Sequence, residues 1–364
     1  MVESSVNNKK RSPIGDLPNE SRKRNEKFQK TLPLPISMKE VSDDDYFSFV
    51  QNHSSVRIED VEIEIGKPWV VNDWEPTVEE KILQDSKQQT LSSKTKTIKK
   101  EITVKRPYQY ESYTVWSFPT RGTWATHKGN YRGNWSPFIP RNLIKHYVVD
   151  KMKSGDDPVI MDQMCGSGTT LVEAKIFGIR AIGVDVNPDA IMVARDRLNF
   201  KREIESNFRL FVGDARNLNL IEEEEVDFIA THPPYAGIIP YSKRSVEGDL
   251  SAISLDLFVR EMGKVAKESW RVLKPGKHCA ILIGDTRRHQ HYVPISTQIL
   301  EQFLNAGFIL REDIIKMQHN MKTTRERWGG KYDFYKINHE HLFVFRKPLE
   351  NEKLSTYKAS MKWR

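Results

Sequence analysis

The segment Val159-Ile160-Met161-Asp162-Gln163-Met164-Cys165-Gly166-Ser167-Gly168-Thr169-Thr170 constrains the fold more than any other in this chain. An apolar run ends in a carboxylate, a Gly-x-Gly turn follows, and threonines open the next stretch. This is how a strand hands over to a helix in a βαβ unit, with glycines allowing the tight bend. The periodicity downstream repeats the alternation. Strands are predicted at Asp157–Asp162, Arg180–Asp185, Phe208–Val212, Asp227–Ala230, His278–Ile283 and His341–Phe345. Helices are predicted at Thr169–Phe177, Pro188–Phe200, Leu255–Leu273 and Val293–Ala306, the last stopped by Gly307. Val- and Ile-rich strands alternating with amphipathic helices give an α/β fold, a doubly wound and mostly parallel sheet covered on both faces.

Three successive strand ends carry acid: Asp162, Asp185 in Gly183-Val184-Asp185-Val186-Asn187-Pro188, and Asp214 in Val212-Gly213-Asp214-Ala215. Strand ends of such a sheet line one crevice, where ligands bind. No Gly-Lys-[Ser/Thr] follows the glycine loop, so a phosphate-cradling loop is absent. Acid at the strand ends repels a pyrophosphate and tolerates a cation, which favours the sulfonium of S-adenosylmethionine over a nicotinamide dinucleotide. Asp185 stands where ribose hydroxyls would be accepted, and Asp214 where an adenine amine would be. A lone aspartate also serves as a plain helix N-cap. Three in register point to a ligand.

After the fourth of these strands comes Thr231-His232-Pro233-Pro234-Tyr235. Two prolines stiffen the turn and lack N–H donors, so carbonyls can face a site while the tyrosine ring is held rigidly. An exocyclic base amine needs such a place, because acceptors bonding its two hydrogens draw the nitrogen lone pair out of conjugation. A Tyr face can stack on an extruded base. The plain alternative is a proline-stiffened strand exit with a packed tyrosine.

Together, Asp162-Gln-Met-Cys-Gly-Ser-Gly-Thr-Thr, Gly183-Val-Asp-Val-Asn-Pro, Val212-Gly-Asp-Ala and Thr231-His-Pro-Pro-Tyr resemble the motifs of the DNA amino-methyltransferases of the cytosine-N4/adenine-N6 family, over roughly Trp116 to Lys347. The resemblance implies a Rossmann-like S-adenosylmethionine-dependent methyltransferase. It implies cofactor contacts from Asp162, Cys165, Gly166, Ser167, Gly168, Thr169, Asp185, Val186, Asp214 and Ala215, with Trp135 and Pro137 closing over the methionine end. Catalysis falls to His232, Pro233, Pro234 and Tyr235. The family has Asp, Asn or Ser before Pro-Pro-Tyr; this chain has His232. A neutral imidazole accepts one hydrogen bond and an imidazolium none, so activity should be lost at low pH. The Thr-x-Pro-Pro-Tyr form favours cytosine N4, in double-stranded DNA, as the modification half of a restriction-modification system. A cognate endonuclease would share the target sequence without needing to bind. Adenine-N6 transfer, RNA base methylation and a catalytically inactive nucleic-acid-binding fold are the alternatives. Cytosine-C5 chemistry needs a nucleophilic cysteine, whereas Cys165 lies in the glycine loop and Cys279 in a predicted buried strand.

Charge supports a polyanionic partner mainly through its placement. The chain has 364 residues and a net charge of +8. Lys87 to Arg106 is lysine-rich with Glu101 as an acid near its end, and reads as a solvated linker or helix face, or as a phosphate-tracking segment. Arg121 to Arg141 contains no acid and interleaves Arg121, Trp124, Lys128, Tyr131 and Arg132, a mixture suited either to base stacking with phosphate pairing or to covering the core. Lys316 to Lys336, with Arg325 and Arg327, is a second basic, aromatic stretch. The expected division is a disordered basic arm at 1–36, an N-terminal region at 37–111 that could recognise the target, a catalytic domain at 112–348 and a basic tail at 349–364. Tyr46-Phe47-Ser48-Phe49-Val50, Val61-Glu62-Ile63-Glu64-Ile65 and Trp69-Val70-Val71 suggest at least one strand in the second of these. The cysteines and histidines lack metal-ligand spacing, so no metal is expected. No apolar run reaches the roughly 20 residues that span a bilayer. A cytoplasmic protein without membrane contact, a monomer or weak dimer, is expected.

Overall fold

A computed structural model describes residues 35–58, 61–89, 95–131, 133–202, 206–235, 246–319 and 333–361, the side chains of residues 79–103 excepted. The N-terminal part holds strand β1 (Lys39–Glu40), helix α1 (Asp43–Asn52), and strands β2 (Ser55–Ile58), β3 (Val61–Glu64), β4 (Thr77–Gln89) and β5 (Thr95–Pro107). Then come β6 (Val115–Ser117), α2 (Phe138–Tyr147), β7 (Val159–Asp162), α3 (Thr169–Ile176), β8 (Arg180–Asp185), α4 (Pro188–Arg197), β9 (Phe208–Val212) and β10 (Val226–Thr231). The chain continues through α5 (Leu255–Val272), β11 (Leu273–Ile283), β12 (Thr286–Arg288), β13 (His291–Val293), α6 (Ile295–Asn305), β14 (Ile309–Met317) and β15 (His339–Arg346).

One sheet of nine strands dominates, in the order β1-β9-β8-β7-β10-β11-β15-β14-β6. Strands β9, β8, β7, β10 and β11 run parallel, while β15 pairs antiparallel with both β11 and β14. The chain steps outward from β7 through β8 to β9, then returns to place β10 on the other flank of β7. That reversal opens a crevice at the carboxyl ends of β7 and β10, the place where open α/β sheets bind ligands. Asp162 and Thr231-His232 therefore meet there by topology. Helices cover both faces: α5 and α6 pack through Phe258, Met262, Ile299 and Phe303 on one, and α2, α3 and α4 through Ile139, Leu143, Leu171 and Ile191 on the other.

Local sequence explains the element ends near the crevice. Gly166 and Gly168 adopt φ of +50° and +81°, the left-handed region in which a side chain is strained, and Gly168 caps α3. Asn187 caps α4 with its side chain accepting from Asp189 N, and Pro188 takes the first helical position. Ser42 and Asp45 form a reciprocal capping box, so Tyr46–Val50 becomes part of a helix although its apolar residues also suit a strand.

The N-terminal region is not a detached module. β1 joins the sheet edge beside β9. Buried Asp196 on α4 accepts from the Tyr46 hydroxyl at 2.8 Å, the Gly66 amide at 2.7 Å and the Trp69 indole at 2.9 Å, and Arg195 pairs with Asp43 at 2.7 Å. Strands β4 and β5 form a two-stranded antiparallel ribbon that, among the described residues, pairs with neither β3 nor the large sheet. The lysine-rich run is thus a β-ribbon, not a linker or helix. Three strands of the large sheet, β1, β6 and β14, lie outside the strands expected from the sequence. The 1–34 part of the basic arm lies outside the described residues, and the C-terminal segment folds into a short 3-10 helix at Leu354–Ser360 behind the Arg346–Glu352 ion pair.

Candidate active site

A cleft of about 890 Å³, counting its mouth, opens at the switch point. Of the residues expected to hold a cofactor, Trp135, Asp162, Cys165, Gly166, Thr169, Asp185, Val186, Asp214 and Ala215 line it, and His232 and Pro234 share the same wall. Ser167, Gly168 and Pro137 lie behind the lining. Ser167 donates to Asn134 Oδ1 at 2.7 Å and accepts from Arg197 Nη1 at 2.5 Å, so it braces the glycine loop. Pro137 caps α2.

Each carboxylate has a distinct task. Asp185 accepts the Gly166 amide at 2.8 Å and the Asn187 amide at 2.9 Å, fixing the glycine loop against the end of β8. Burial pushes its pKa up to about 6 against those two bonds. Asp162 is buried, which lifts it to about 7 although Thr170, Thr231 and the Met164 amide act in the opposite direction. Thr170 donates to it at 2.5 Å. Asp214 differs from the expectation of a free acceptor: Arg216 Nε lies 2.9 Å from Oδ1 and Nη2 2.5 Å from Oδ2. A fourth acid, Asp249, enters from the loop before α5 and was not legible from any motif.

Among the described residues that line the cleft there is no lysine or arginine. Carboxylates, apolar walls and an apposed glycine loop fit a ligand with a cationic centre and hydroxyls, not a phosphate chain. S-adenosylmethionine meets that description, with Asp185 suited to its ribose hydroxyls and Asp162 and Trp135 lining the same cleft.

The Thr231-His232-Pro233-Pro234-Tyr235 segment leaves β10 into this cleft. His232 stacks with Trp135 at a ring separation of 6.0 Å and an angle of 15°. Burial lowers the His232 pKa, so the ring is neutral near pH 7. Tyr235 does not line the cleft; its hydroxyl lies 3.0 Å from His232 Nε2 and donates to Glu340 Oε1 at 2.5 Å.

Several residues read as nucleic-acid contacts serve the interior instead. Trp124 is buried, and its indole donates to buried Glu173 at 2.7 Å, so its ring offers no stacking face. Arg121 spends its guanidinium on the Asn134 and Trp135 carbonyls at 2.9 and 2.7 Å, holding the cleft-lining loop. Tyr131 lines the cleft beside Gly166. Lys128 is exposed, with its ammonium 4.5 Å from the centre of the Trp69 ring. Arg132, Arg325 and Arg327 lie outside the described residues.

Residues 21–196 and 226–363 match the family model described as DNA methylase, of the N6/N4 type. The chain belongs to that DNA methylase family. S-adenosylmethionine, the methyl donor of that family, is accordingly its cofactor. Residues 149–274 of the methylase also match an RMKL-like methyltransferase domain. Among relatives, a tRNA (guanine(10)-N2)-dimethyltransferase of Methanothermobacter thermautotrophicus is 37% identical over 105 residues, 29% of each chain. The type II methyltransferase M.MjaI of Methanocaldococcus jannaschii is 27% identical over 173 residues, 40% of this chain and 57% of that protein. The chain thus spans less than two thirds of these curated relatives. A SAM-dependent methyltransferase from Methanosarcina mazei is similar at 17% identity and a TM-score of 0.38, covering 57% of this chain and 98% of that one. Among the described residues no helix is long and apolar enough to cross a membrane, and no cluster of three potential metal ligands occurs.

Proposed function

We propose that this methylase transfers a methyl group to the exocyclic amine of a base in double-stranded DNA, cytosine N4 in preference to adenine N6, as the modification component of a restriction-modification system. The observation that carries the reading is the placement of His232 and Pro234 on the wall of the carboxylate-lined cleft. S-adenosylmethionine supplies an electrophilic methyl group on a sulfonium. Asp185 and the Gly166 loop would hold the cofactor from one side of the cleft, and the Arg121-clamped loop carrying Trp135 would close over it. His232 and the Pro233 carbonyl accept the two amine hydrogens, which restores nucleophilic character to the nitrogen. Tyr235 and Trp135 bracket the histidine so that little reorganisation is needed on approach of the base. Orientation and exclusion of water then provide most of the acceleration, and no covalent enzyme intermediate is required. The lysine-rich β4–β5 hairpin is the proposed target-recognition arm, since the major groove admits a two-stranded ribbon.

Similarity to the tRNA guanine-N2 enzyme supports a second reading, transfer to an RNA base. Incubation with isotopically labelled S-adenosylmethionine and either duplex DNA or tRNA, followed by mass analysis of the nucleosides, separates the two. N4-methylcytosine in the DNA digest is the expected result. N2-methylguanosine from tRNA alone replaces it with the second reading. Wild-type turnover in both His232→Ala and Tyr235→Ala overturns the assigned site.

A further inference from the structure

A line of buried polar groups leads away from His232. Lys316 on β14 donates to Glu340 Oε2 at 2.9 Å, and the Tyr235 hydroxyl donates to Glu340 Oε1 at 2.5 Å. His232 Nε2 lies 3.0 Å from that same hydroxyl oxygen. Glu340 belongs to β15, 105 residues beyond Tyr235, and no motif in the sequence singles it out. Its burial alone would raise the carboxyl pKa. Lys316 and the Tyr235 hydrogen bond act against that burial, and the carboxyl is held below the ordinary range, so Glu340 is ionised.

An ionised carboxylate only accepts, which fixes every proton in the line. The phenolic proton of Tyr235 points at Glu340. The phenolic oxygen then serves as acceptor toward the ring, and His232 must bring its proton on Nε2. A neutral imidazole protonated on Nε2 keeps its lone pair on Nδ1. Nδ1 of His232 is buried and has no hydrogen-bond partner among the described residues. An unmet buried polar atom costs about 1–3 kcal/mol, an expense that a ligand donor would relieve.

Building on the methyltransferase reading above, we propose that Glu340, anchored by Lys316, is a positioning residue that acts through the Tyr235 hydroxyl to lock His232 in its Nε2–H tautomer, so that Nδ1 presents a lone pair to the substrate amine. Asp, Asn and Ser carry an oxygen lone pair whatever their surroundings. Histidine has one free nitrogen, and its place depends on the tautomer. The relay makes histidine a workable acceptor where those side chains would need no such help. Burial, Lys316 and Arg121 disfavour protonation of the ring, while Glu340 and the nearby Gly133 carbonyl, which makes no hydrogen bond to Nδ1, favour it, and the balance keeps it neutral near pH 7.

The tautomer is read directly by long-range 15N–1H correlation on the full chain labelled at histidine, with His232 assigned from the His232→Asn variant. The expected spectrum shows a protonated Nε2 and a bare Nδ1 in the wild type, and a tautomer mixture in Glu340→Gln, whose amide can donate to the phenol. A wild-type ring protonated on Nδ1 overturns the proposal. In turnover, Glu340→Gln should lower kcat about tenfold or more with an unchanged KM for S-adenosylmethionine. In the His232→Asn background the same change should cost less than about twofold. Equal losses in both backgrounds reduce Glu340 to a structural part and overturn the relay. If the wild type methylates neither DNA nor RNA, the methyltransferase reading fails while the wild-type spectrum still decides the tautomer.

Discussion

Arg216 grips Asp214 by both carboxylate oxygens, at 2.9 and 2.5 Å, and reaches Glu261 on α5 at 2.7 Å with its remaining nitrogen. One guanidinium therefore ties the rim of the cofactor cleft to the helix layer beneath. All three side chains are nearly inaccessible, so the interaction is not screened by water.

Replacing Arg216 with Ala leaves buried Asp214 without its cation and Glu261 with Lys264 alone, at 2.9 Å. Removal of one partner from a buried pair costs about 3–5 kcal/mol. Urea unfolding should show a loss of that order, and Asp214→Asn in the same background should recover part of it.

Acid at the cleft has an unusual sign. Burial pushes Asp162 and Asp185 up to about 7 and about 6 in the folded protein, above the ordinary carboxyl value of 3.8. Between these limits the folded chain holds protons that the unfolded chain has released, so stability from both groups is greatest at low pH and is lost as pH rises through 6 to 7. The difference in unfolding free energy between wild type and Asp162→Asn should accordingly move in favour of the wild type on going from about pH 8 to pH 5. Binding of S-adenosylmethionine runs the other way: its affinity, measured by calorimetry, should weaken below about pH 6 as Asp185 is neutralised.

Arg121 is a clamp and not a phosphate contact. Its burial depresses its pKa to about 10, yet it stays charged at neutral pH and holds two carbonyls of the loop that carries Trp135. Each hydrogen bond to a charged group is worth about 1.5–3 kcal/mol, so Arg121→Ala should weaken cofactor binding at least about tenfold. DNA affinity at saturating cofactor should be little changed; a loss confined to DNA binding would contradict the clamp.

The hairpin supplies a test in salt. Neutralising Lys96, Lys99, Lys100 and Lys105 together should weaken duplex binding at low ionic strength. Each lost phosphate contact should flatten the slope of log affinity against log salt by about 0.9. An unaltered slope would move target recognition elsewhere in the chain.

Legibility followed sequence separation. The glycine loop, its carboxylates and the Pro-Pro-Tyr turn are contiguous motifs on a repeating strand–helix pattern, so the parallel half of the sheet could be read in order. Strand β14 escaped because Arg311-Glu312-Asp313 interrupts its apolar alternation, and a register shift between Leu310 and Glu312 absorbs the irregularity. Trp124 misled because a loop that covers a core has the same composition as one that stacks on bases, and its indole partner Glu173 lies 49 residues away. Arg216 was hidden for a different cause: adjacent to the motif, it looks like any surface arginine until α5 brings Glu261 to it. Glu340 could be found only by folding the chain.

Among the described residues, the β4–β5 ribbon shares no ladder with any other strand. Thirteen residues in each arm, at roughly 3.3 Å per residue, make a ribbon about 43 Å long, comparable to one turn of duplex. Substitutions, lengthening or exchange of this ribbon leave the pairing of β7 with β10 untouched. If the ribbon reads the target as proposed, choice of sequence and competence for methyl transfer would be inherited separately, and a lineage could change the one by replacing a cassette while the other stays fixed.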